Sequence, residues 1–161
     1  PTRRSSDLGN HNRCTPEQTL RYLSKLSGPF LDRFDLSLEI PLPPPGLLRQ
    51  TGIKGESSAT VRERVIAAQA RQYVRQNRLN ARLDNSGIRQ FCSLNAEDAG
   101  WLEETLTRFG LSIRAWQRLL KVARTVADVE GCPGIERRHL QEALSYRAID
   151  RLLLHLQKML A

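Results

Sequence analysis

Arginine is the residue type in this sequence that offers the most specific chemistry, and Arg33 is the first case. It lies in SGPFLDRFDLSLEIP, residues 27–41, between a Gly-Pro break and an alternating apolar run that ends at proline. A guanidinium placed among apolar residues needs a partner if burial removes it from water. Asp32 can orient this guanidinium or serve as a separate ion-pair partner. The pair is therefore either part of a functional site at a domain edge or a structural salt bridge.

A second basic group falls on a predicted helix. Arg114, Arg118 and Lys121 are spaced i, i+4 and i+7, which places them on one helical face. Arg114 also lies in the first turn, where free backbone N–H groups favour an anion. The helix terminus and this arginine are together suited to holding a phosphate, although a solvated basic face has the same spacing.

Motifs of a complete catalytic site are absent from the 161 residues. There is no G-x-x-x-x-G-K-[ST] loop to cradle a phosphate, and no G-x-S-x-G, H-E-x-x-H or kinase motif. Cys92 lies beside Phe91 in an apolar stretch and is predicted to be a buried, inert thiol. His139 and His155 fall on predicted helices, where we expect them at the surface.

The cysteines and histidines do not form a metal-binding pattern. His11 and Cys14 are close in sequence, but a structural zinc site needs four ligands, usually as two close pairs. Cys92 and Cys132 are far from them and from each other. We therefore predict no metal site, no disulfide framework and a reducing compartment.

The composition is strongly basic, with 25 lysines and arginines against 17 acidic residues, a formal charge of +8 and an isoelectric point near 10.1. This balance favours an anionic partner such as nucleic acid or nucleotide phosphate, with a merely basic surface as the alternative. At 40% hydrophobic residues the chain can bury a core. It has no apolar run of about 18 residues and no signal-peptide pattern. We predict a cytoplasmic protein.

The N-terminal part contains one predicted helix and one predicted strand. Residues 1–13 are polar and aperiodic and are expected to be disordered or foreign to the fold. The helix has Thr15 as its N-cap, Pro16 at its first position and Gly28 as its stop. The strand alternates apolar and polar residues and is predicted to be half-buried. Its apolar positions are Phe34, Leu36, Leu38 and Ile40.

A proline- and glycine-rich stretch at residues 46–58 is interpreted as a semi-rigid linker, and everything after it as helix. Three long helices are predicted. The first starts at Thr60, with Glu63 at capping-box spacing. The second runs from Asn95 to Gly110 and the third from Ser112 to Gly131. Their apolar stripes are Val61, Val65, Ala68 and Tyr73, then Ala99, Leu102, Leu106 and Phe109, then Leu119, Leu120, Ala123, Val126 and Ala127. Two shorter helices close the chain, marked by Leu140, Ala143 and Leu144 and by Ile149, Leu152, Leu153, Leu156 and Leu160.

Several stretches, in order along the chain, resemble one family. They closely resemble motifs of the magnesium-chelatase-like AAA+ ATPases, and within them of the competence-protein branch. These stretches are LSGPFLDRFDLSLEIP, GESSATVRERVIAAQARQ, GLSIRAWQRLLKVARTVADVEG and HLQEALSYRAIDR. The resemblance extends from about Gly9 to Ala161. It implies a mostly α chain, in which the end of an α/β AAA+ core, with one helix plus one strand, precedes a C-terminal helical lid bundle. The implied boundaries are a non-family or disordered N-terminus at 1–8, the core end at 9–45, the linker at 46–58 and the lid at 59–161.

Carried over residue by residue, the resemblance assigns roles to four side chains. Arg33 matches the arginine finger of the L-D-R-[FI] motif, which reaches the γ-phosphate held by a neighbouring subunit, and Asp32 is its accessory residue. Arg114, in S-x-R, matches the sensor-2 arginine, which contacts nucleotide bound in its own subunit, and Arg118 is a weaker candidate for nucleotide binding. ATP and Mg²⁺ would be held mainly by upstream residues that this sequence lacks, so the chain is expected to be inactive alone.

The resemblance also implies a function. Members of this branch resemble ring ATPases, expected to be hexamers, whose ATP hydrolysis drives DNA branch migration in recombination or natural transformation. One alternative is a chelatase-like ATPase that remodels a protein partner or inserts a metal. Another is a stand-alone lid that binds nucleic acid. The finger and the sensor serve either motor equally well, so the motifs leave these alternatives open.

Overall fold

Helices account for nearly all of the regular structure in the computed structural model, which describes residues 15–23, 25, 30, 33–40, 55–147, 152 and 158. The predicted mostly α fold class is confirmed. No helix within these residues is both long and apolar enough to cross a membrane. The elements are α1 Pro16–Leu23, α2 Ser58–Gln76, a 3₁₀ helix Asn80–Arg82, α3 Asn85–Phe91, α4 Ala96–Arg108, α5 Ile113–Glu130 and α6 Arg137–Ser145.

The starts of helices α1 to α5 are fixed by polar side chains that accept backbone N–H groups otherwise left without a partner. Such an N-cap contributes about 1 kcal/mol. The starts of α4 at Asn95 and of α5 at Ser112 agree with the prediction. Helix α2 is capped by Ser57 rather than by the predicted Thr60, because Ser57 Oγ accepts the Thr60 N–H at 3.2 Å. Asp84 caps α3, a short helix for which we made no separate prediction.

Helix α1 begins as predicted. Thr15 Oγ1 accepts the Gln18 N–H at 3.3 Å, and Gln18 Oε1 accepts the Thr15 N–H at 3.1 Å, which is the reciprocal arrangement of a capping box. The helix ends at Leu23, before the predicted stop at Gly28, which itself lies outside the described residues. Most of the predicted linker and of the predicted last helix also lie outside them.

The core forms around α5. Leu119, Leu120 and Ala123 are buried on this helix and belong to one apolar cluster. Burying a side chain the size of leucine contributes about 1.5–3 kcal/mol. The stripes predicted for α4, α5 and the helix around Leu140 are therefore confirmed at their central positions. The neighbouring helices contribute Ile88 from α3, Leu102 and Leu106 from α4, and Leu140 and Ala143 from α6.

Helix α2 buries polar residues where an apolar stripe was predicted. Of that stripe only Ala68 is buried, beside Gln72 and Gln76. The two amides are hydrogen-bonded inside the fold, since Gln72 Oε1 accepts the Asn80 N–H at 2.8 Å and Gln76 Nε2 donates to Asn80 Oδ1 at 2.8 Å. Hydrogen-bonded polar groups can be buried at little net cost, which makes this face compatible with the interior. The exposed members of the predicted stripe are Val61, Val65 and Tyr73.

No strand forms within residues 33–40, where a half-buried strand was predicted. The pairing found there is an isolated parallel bridge between Ser37 and Arg147. The four apolar side chains are between 46% and 87% exposed. The predicted half-burial is wrong for the described chain, because this segment meets neither a neighbouring strand to complete a ladder nor an apolar layer over its side chains there.

A buried carboxylate connects α2, the 3₁₀ helix and α5. Asp128 of α5 is 0% exposed. Its Oδ1 accepts from Arg75 Nη1 at 2.6 Å and from Arg124 Nη2 at 2.7 Å. Its Oδ2 accepts from Arg75 Nη2 at 2.9 Å and from Asn80 Nδ2 at 2.8 Å. The Asp128 carbonyl receives a further bond from Arg71 Nη1 at 2.8 Å, so three elements are joined around one residue.

The donors around Asp128 keep this carboxyl ionised. Burial raises its pKa, but the hydrogen bonds from Arg75, Arg124 and Asn80 outweigh burial, and the pKa lies below its ordinary value of 3.8. Arg124 also donates to two carbonyls of the loop that follows α5, at 2.8 Å and 2.9 Å. The same cluster therefore holds the loop that leads into α6.

Replacing Asp128 with alanine would leave Arg75 and Arg124 without their shared acceptor. Breaking a buried ion pair by removing one partner costs about 3–5 kcal/mol. We expect the free energy of unfolding to fall by that amount in urea denaturation followed by circular dichroism. Glu104→Ala removes an exposed carboxylate from α4 and is the control, with a change within about 0.5 kcal/mol. A loss below about 1 kcal/mol for Asp128→Ala would contradict the central place of this cluster.

The lowered pKa of Asp128 also predicts how stability depends on pH. A carboxyl whose pKa is lower in the folded than in the unfolded chain binds fewer protons when folded. Its contribution is fully present above the unfolded pKa of about 3.9 and is lost as the pH falls through the lower folded value. We expect Asp128→Asn to reduce the loss of stability on acidification below about pH 4, measured as the urea midpoint over a pH series. A variant with the wild-type acid dependence would refute this assignment.

Candidate functional site

Arg114, Arg118 and Lys121 line one cleft, as their helical spacing predicts. The cleft has a volume of about 950 Å³, and its other lining residues come mainly from residues 33–40, α3, α5 and the end of α6. This volume is within the range of small-molecule sites in proteins. The structure thus places the three predicted basic residues on one wall of a cavity rather than on a featureless surface.

Arg114 keeps its guanidinium available. It is exposed in the first turn of α5, and no described residue forms an ion pair or a side-chain hydrogen bond with it. Ser112 Oγ accepts the Ala115 N–H at 3.2 Å and fixes the start of this helix. The positive end of the helix dipole lies at the same place. This arrangement is suited to an anion such as a phosphate group.

Arg118, one turn further along α5, is bound to the segment that carries Arg33. Its Nη1 donates to Asp35 Oδ1 at 2.5 Å and to the Arg33 carbonyl at 2.8 Å. The Arg118 side chain is 31% exposed and that of Asp35 is 57% exposed. The guanidinium therefore contacts oxygens of this chain, and its contact with a nucleotide stays a prediction.

Lys121 differs from both arginines. Its Nζ donates to a backbone carbonyl of the 3₁₀ helix at 3.3 Å. Of the three basic residues on this face, Arg118 and Lys121 thus hold neighbouring parts of the fold, whereas Arg114 has no such contact with the described residues. Arg114 therefore stays suited to a phosphate, whereas Arg118 and Lys121 make structural contacts that neither interpretation of the spacing included.

Arg33 lies in a turn whose backbone is held by local contacts. Its N–H donates to the Phe30 carbonyl at 3.1 Å, and the rings of Phe30 and Phe34 meet edge to face with their centroids 5.1 Å apart. The Arg33 side chain is exposed, and its guanidinium has no ion pair or hydrogen bond with the part of the chain that the structure describes. Asp32 lies outside the described residues, so its accessory role stays a prediction.

His139 is buried, so its predicted surface position is wrong. It is 0% exposed in the first turn of α6. Its Nδ1 accepts the Glu136 N–H at 2.9 Å, and its Nε2 lies 3.1 Å from Glu130 Oε2. Since Nδ1 accepts a hydrogen bond, the ring proton is on Nε2, which donates to Glu130. His139 thus caps α6 and ties it to the end of α5, while His155 lies outside the described residues.

Glu130, Cys132 and His139 are the group of potential metal ligands found within the described ranges, and their ligand atoms lie within 4.8 Å of one another. Sequence reasoning missed this cluster because its members lie on both sides of a loop. Two features oppose a cation here. Nε2 of His139 carries a proton, and Arg138 Nη2 lies 3.1 Å from Cys132 Sγ and 3.3 Å from Glu130 Oε2. Metal ligation needs a free imidazole lone pair and a thiolate, so these contacts favour an ion-pair cluster over a metal centre.

The burial predicted for Cys92 is confirmed. Cys92 is 2% exposed and belongs to the apolar cluster around α5. Burial raises the pKa of this thiol to about 11, so the thiolate is scarce at neutral pH. A nucleophilic role for Cys92 is therefore disfavoured.

Two family models match the chain in adjacent ranges. The model for the C-terminal domain of magnesium chelatase, subunit ChlI, matches residues 55–147, and the model for magnesium chelatase, subunit ChlI, matches residues 1–46. The gap between the two matches falls in the predicted linker at 46–58. The second match includes residues 1–8, which their composition led us to place outside the family and which lie outside the described residues.

Curated relatives match nearly the whole chain. The uncharacterized protein YifB of Escherichia coli is 74% identical over 152 residues, which are 94% of this chain and 30% of YifB. Competence protein ComM of Haemophilus influenzae is 52% identical over 151 residues, again 94% of this chain and 30% of the relative. An uncharacterized protein of Mycobacterium bovis is 36% identical over 140 residues, 83% of this chain and 27% of its own length. The chain spans about 30% of the length of the first two relatives. Because the C-terminal model covers more than half of the chain, the chain belongs to the magnesium chelatase ChlI family, within which it is similar to YifB and ComM.

Proposed function

We propose that this chain supplies an arginine finger, Arg33, and a sensor-2 arginine, Arg114, to an oligomeric AAA+ ATPase that drives DNA branch migration. The observation that carries the proposal is the state of these two guanidiniums. Both are exposed, neither is bound to a described residue, and each lies on a backbone with defined local contacts. Groups that stabilise developing charge work best when they are held in place before the reaction and need not leave another partner.

Arg33 is suited to a phosphate that another subunit holds. Its turn is fixed by the bond to the Phe30 carbonyl, while its guanidinium is exposed. A guanidinium presents a planar set of donors that matches phosphate oxygens. In phosphoryl transfer such an arginine stabilises the charge of the transition state and is worth about 10³–10⁵ in rate. Arg33 would give this stabilisation to the neighbouring site in a ring, which we expect to be a hexamer.

Arg114 is suited to a nucleotide bound in its own subunit. It lines the 950 Å³ cleft and lies at the positive end of α5. These two features favour a phosphate group at this wall of the cleft. The chain offers no P-loop, so most contacts to ATP and Mg²⁺ would come from residues of the complete protein outside this chain. Bound ATP would supply the phosphoryl group and Mg²⁺ a positive charge beside it. Arg114 would contact and stabilise a phosphate of this nucleotide.

DNA is the proposed substrate of the motor on two grounds. The chain has a formal charge of +8, and neutralisation of phosphates dominates non-specific affinity for DNA. The sequence resembles the competence-protein branch, for which DNA branch migration is the expected activity, and one relative that is 52% identical over nearly the whole chain is named a competence protein. Both grounds support DNA as a partner of the complete protein.

A second candidate comes from the family itself, since both matching models are named for magnesium chelatase. In that case ATP hydrolysis would remodel a protein partner or drive metal insertion. The finger and the sensor would act in the same way, so the two candidates differ only in what the complete protein acts on.

Substituting Arg33 tests the finger. In the complete protein, Arg33→Ala should lower the rate of ATP hydrolysis by about 10³-fold or more while leaving the affinity for ATP largely unchanged, because the residue contacts the transition state in a neighbouring site. Arg89→Ala removes an exposed arginine of α3 that has no partner among the described residues, and it should hydrolyse ATP normally. Near wild-type hydrolysis by Arg33→Ala would rule the finger out.

Mixed rings extend this experiment to the sensor. Arg114→Ala should impair hydrolysis within its own subunit, whereas Arg33→Ala should impair the neighbouring site. Mixing the two variants should therefore restore part of the activity, at interfaces where an intact sensor meets an intact finger. If mixtures stay as inactive as either variant alone, the two arginines do not serve different sites.

The substrate is tested with the complete protein and DNA. We expect ATP hydrolysis to be stimulated by single-stranded or branched DNA, with a stimulation that weakens as salt increases because phosphate contacts release counterions. Hydrolysis that does not respond to either DNA would favour the remodelling ATPase instead.

A further inference from the structure

The contact between Arg118 and Asp35 joins helix α5 to the segment of the proposed finger. One nitrogen, Arg118 Nη1, donates to Asp35 Oδ1 at 2.5 Å and to the Arg33 carbonyl at 2.8 Å. The two acceptors lie on either side of Phe34, whose ring contacts Phe30. The backbone that carries the Arg33 side chain is therefore held directly by a residue of α5.

A second contact holds the same segment further along. The Ser37 N–H donates to the Tyr146 carbonyl at 2.6 Å, within the isolated bridge to Arg147 at the end of α6. Within the part of the chain that the structure describes, the segment thus has contacts both on α5 and after α6. The contact on α5 is the one next to Arg33.

The Arg118 contact is too exposed to contribute much to stability. Its two side chains are 31% and 57% exposed, and ion pairs of this kind are worth at most about 1 kcal/mol. Helix α5 is held by other means, through its apolar face and the Asp128 cluster. The contact instead determines where the Arg33 backbone lies relative to α5.

We propose that Arg118 is a positioning residue for the Arg33 finger, an inference that rests on the proposed function above. Arg114 and Arg118 lie one turn apart on the same helix, so both move with it. The finger that a subunit lends to its neighbour is therefore held in a defined position relative to the helix that carries the sensor of the same subunit. In this role the Arg118 guanidinium binds the finger segment and not the nucleotide.

Kinetics of the complete protein test the positioning role. We expect Arg118→Ala to lower kcat for ATP hydrolysis about 10- to 100-fold, since a displacement of about 1 Å can cost 10² in rate. KM for ATP should stay within about twofold, because binding of the nucleotide is not affected. Asp35→Ala removes one of the two acceptors and leaves the bond from Arg118 to the Arg33 carbonyl, so it should lower kcat in the same direction but by less than Arg118→Ala. The double variant should be no slower than Arg118→Ala, because that substitution already removes both bonds, and Arg89→Ala again serves as the control.

Mixed rings separate positioning from direct binding of nucleotide. Subunits with Arg118→Ala would lend a displaced finger but keep an intact sensor. Mixing them with Arg114→Ala subunits should restore hydrolysis, and mixing them with Arg33→Ala subunits should not. A phosphate ligand acting within its own subunit would give the opposite pattern together with a raised KM, and that result would overturn the inference.

Two further measurements keep the outcomes distinct. Thermal unfolding and ring assembly of each variant show whether Arg118→Ala still folds, and Asp35→Ala, on an exposed segment, tests the same contact if it does not. Wild-type hydrolysis by Arg33→Ala would refute the proposed function itself. An inactive Arg33→Ala, with normal hydrolysis by Arg118→Ala and Asp35→Ala, would refute the positioning role alone.

Discussion

The hydrogen bonds to the Asp128 carboxylate are the constraint on which the arrangement of the helices depends. A carboxylate without contact to water is destabilised by several kcal/mol unless donors replace its hydration. Here the donors come from α2, from the 3₁₀ helix and from α5 itself, so these three elements must keep their mutual positions for the charge to be satisfied. Apolar packing is not directional, whereas these bonds fix orientation as well as distance.

Helix α5 joins this constraint to the candidate site. Its C-terminal half carries Asp128 and its middle carries the apolar side chains of the core, while Arg114 and Arg118 lie in its N-terminal half. A helix held by a buried cluster is a rigid support, and sites on such elements are placed more accurately than sites on loops. The exposed pair between Arg118 and Asp35 contributes little to stability, yet it connects this helix directly to the segment that carries Arg33, which is the basis of the proposed positioning role.

Two of the predictions that failed share one cause. The stripe on α2 was predicted from apolar residues, but the buried face contains Gln72 and Gln76, whose amides have partners inside the fold. His139 was expected at the surface because histidine is polar, and it is buried because two hydrogen bonds satisfy both ring nitrogens. In each case the polar side chain can be buried because the fold supplies its hydrogen-bond partners. A pattern of hydrophobic residues in the sequence contains no information about those partners.

Features that depend on interactions over a few residues could be predicted from the sequence. The starts of α4 and α5 at Asn95 and Ser112, the end of α5 at Gly131 and the basic face of α5 all depend on neighbours within one or two turns, and their spacing is visible in the chain. The contacts of Asp128 with Arg75, 53 residues away, and of Arg118 with Asp35, 83 residues away, became visible only in the packed structure. Local interactions leave a periodic pattern, whereas long-range pairs depend on which surfaces the packed helices bring together, and a single sequence carries no pattern for that.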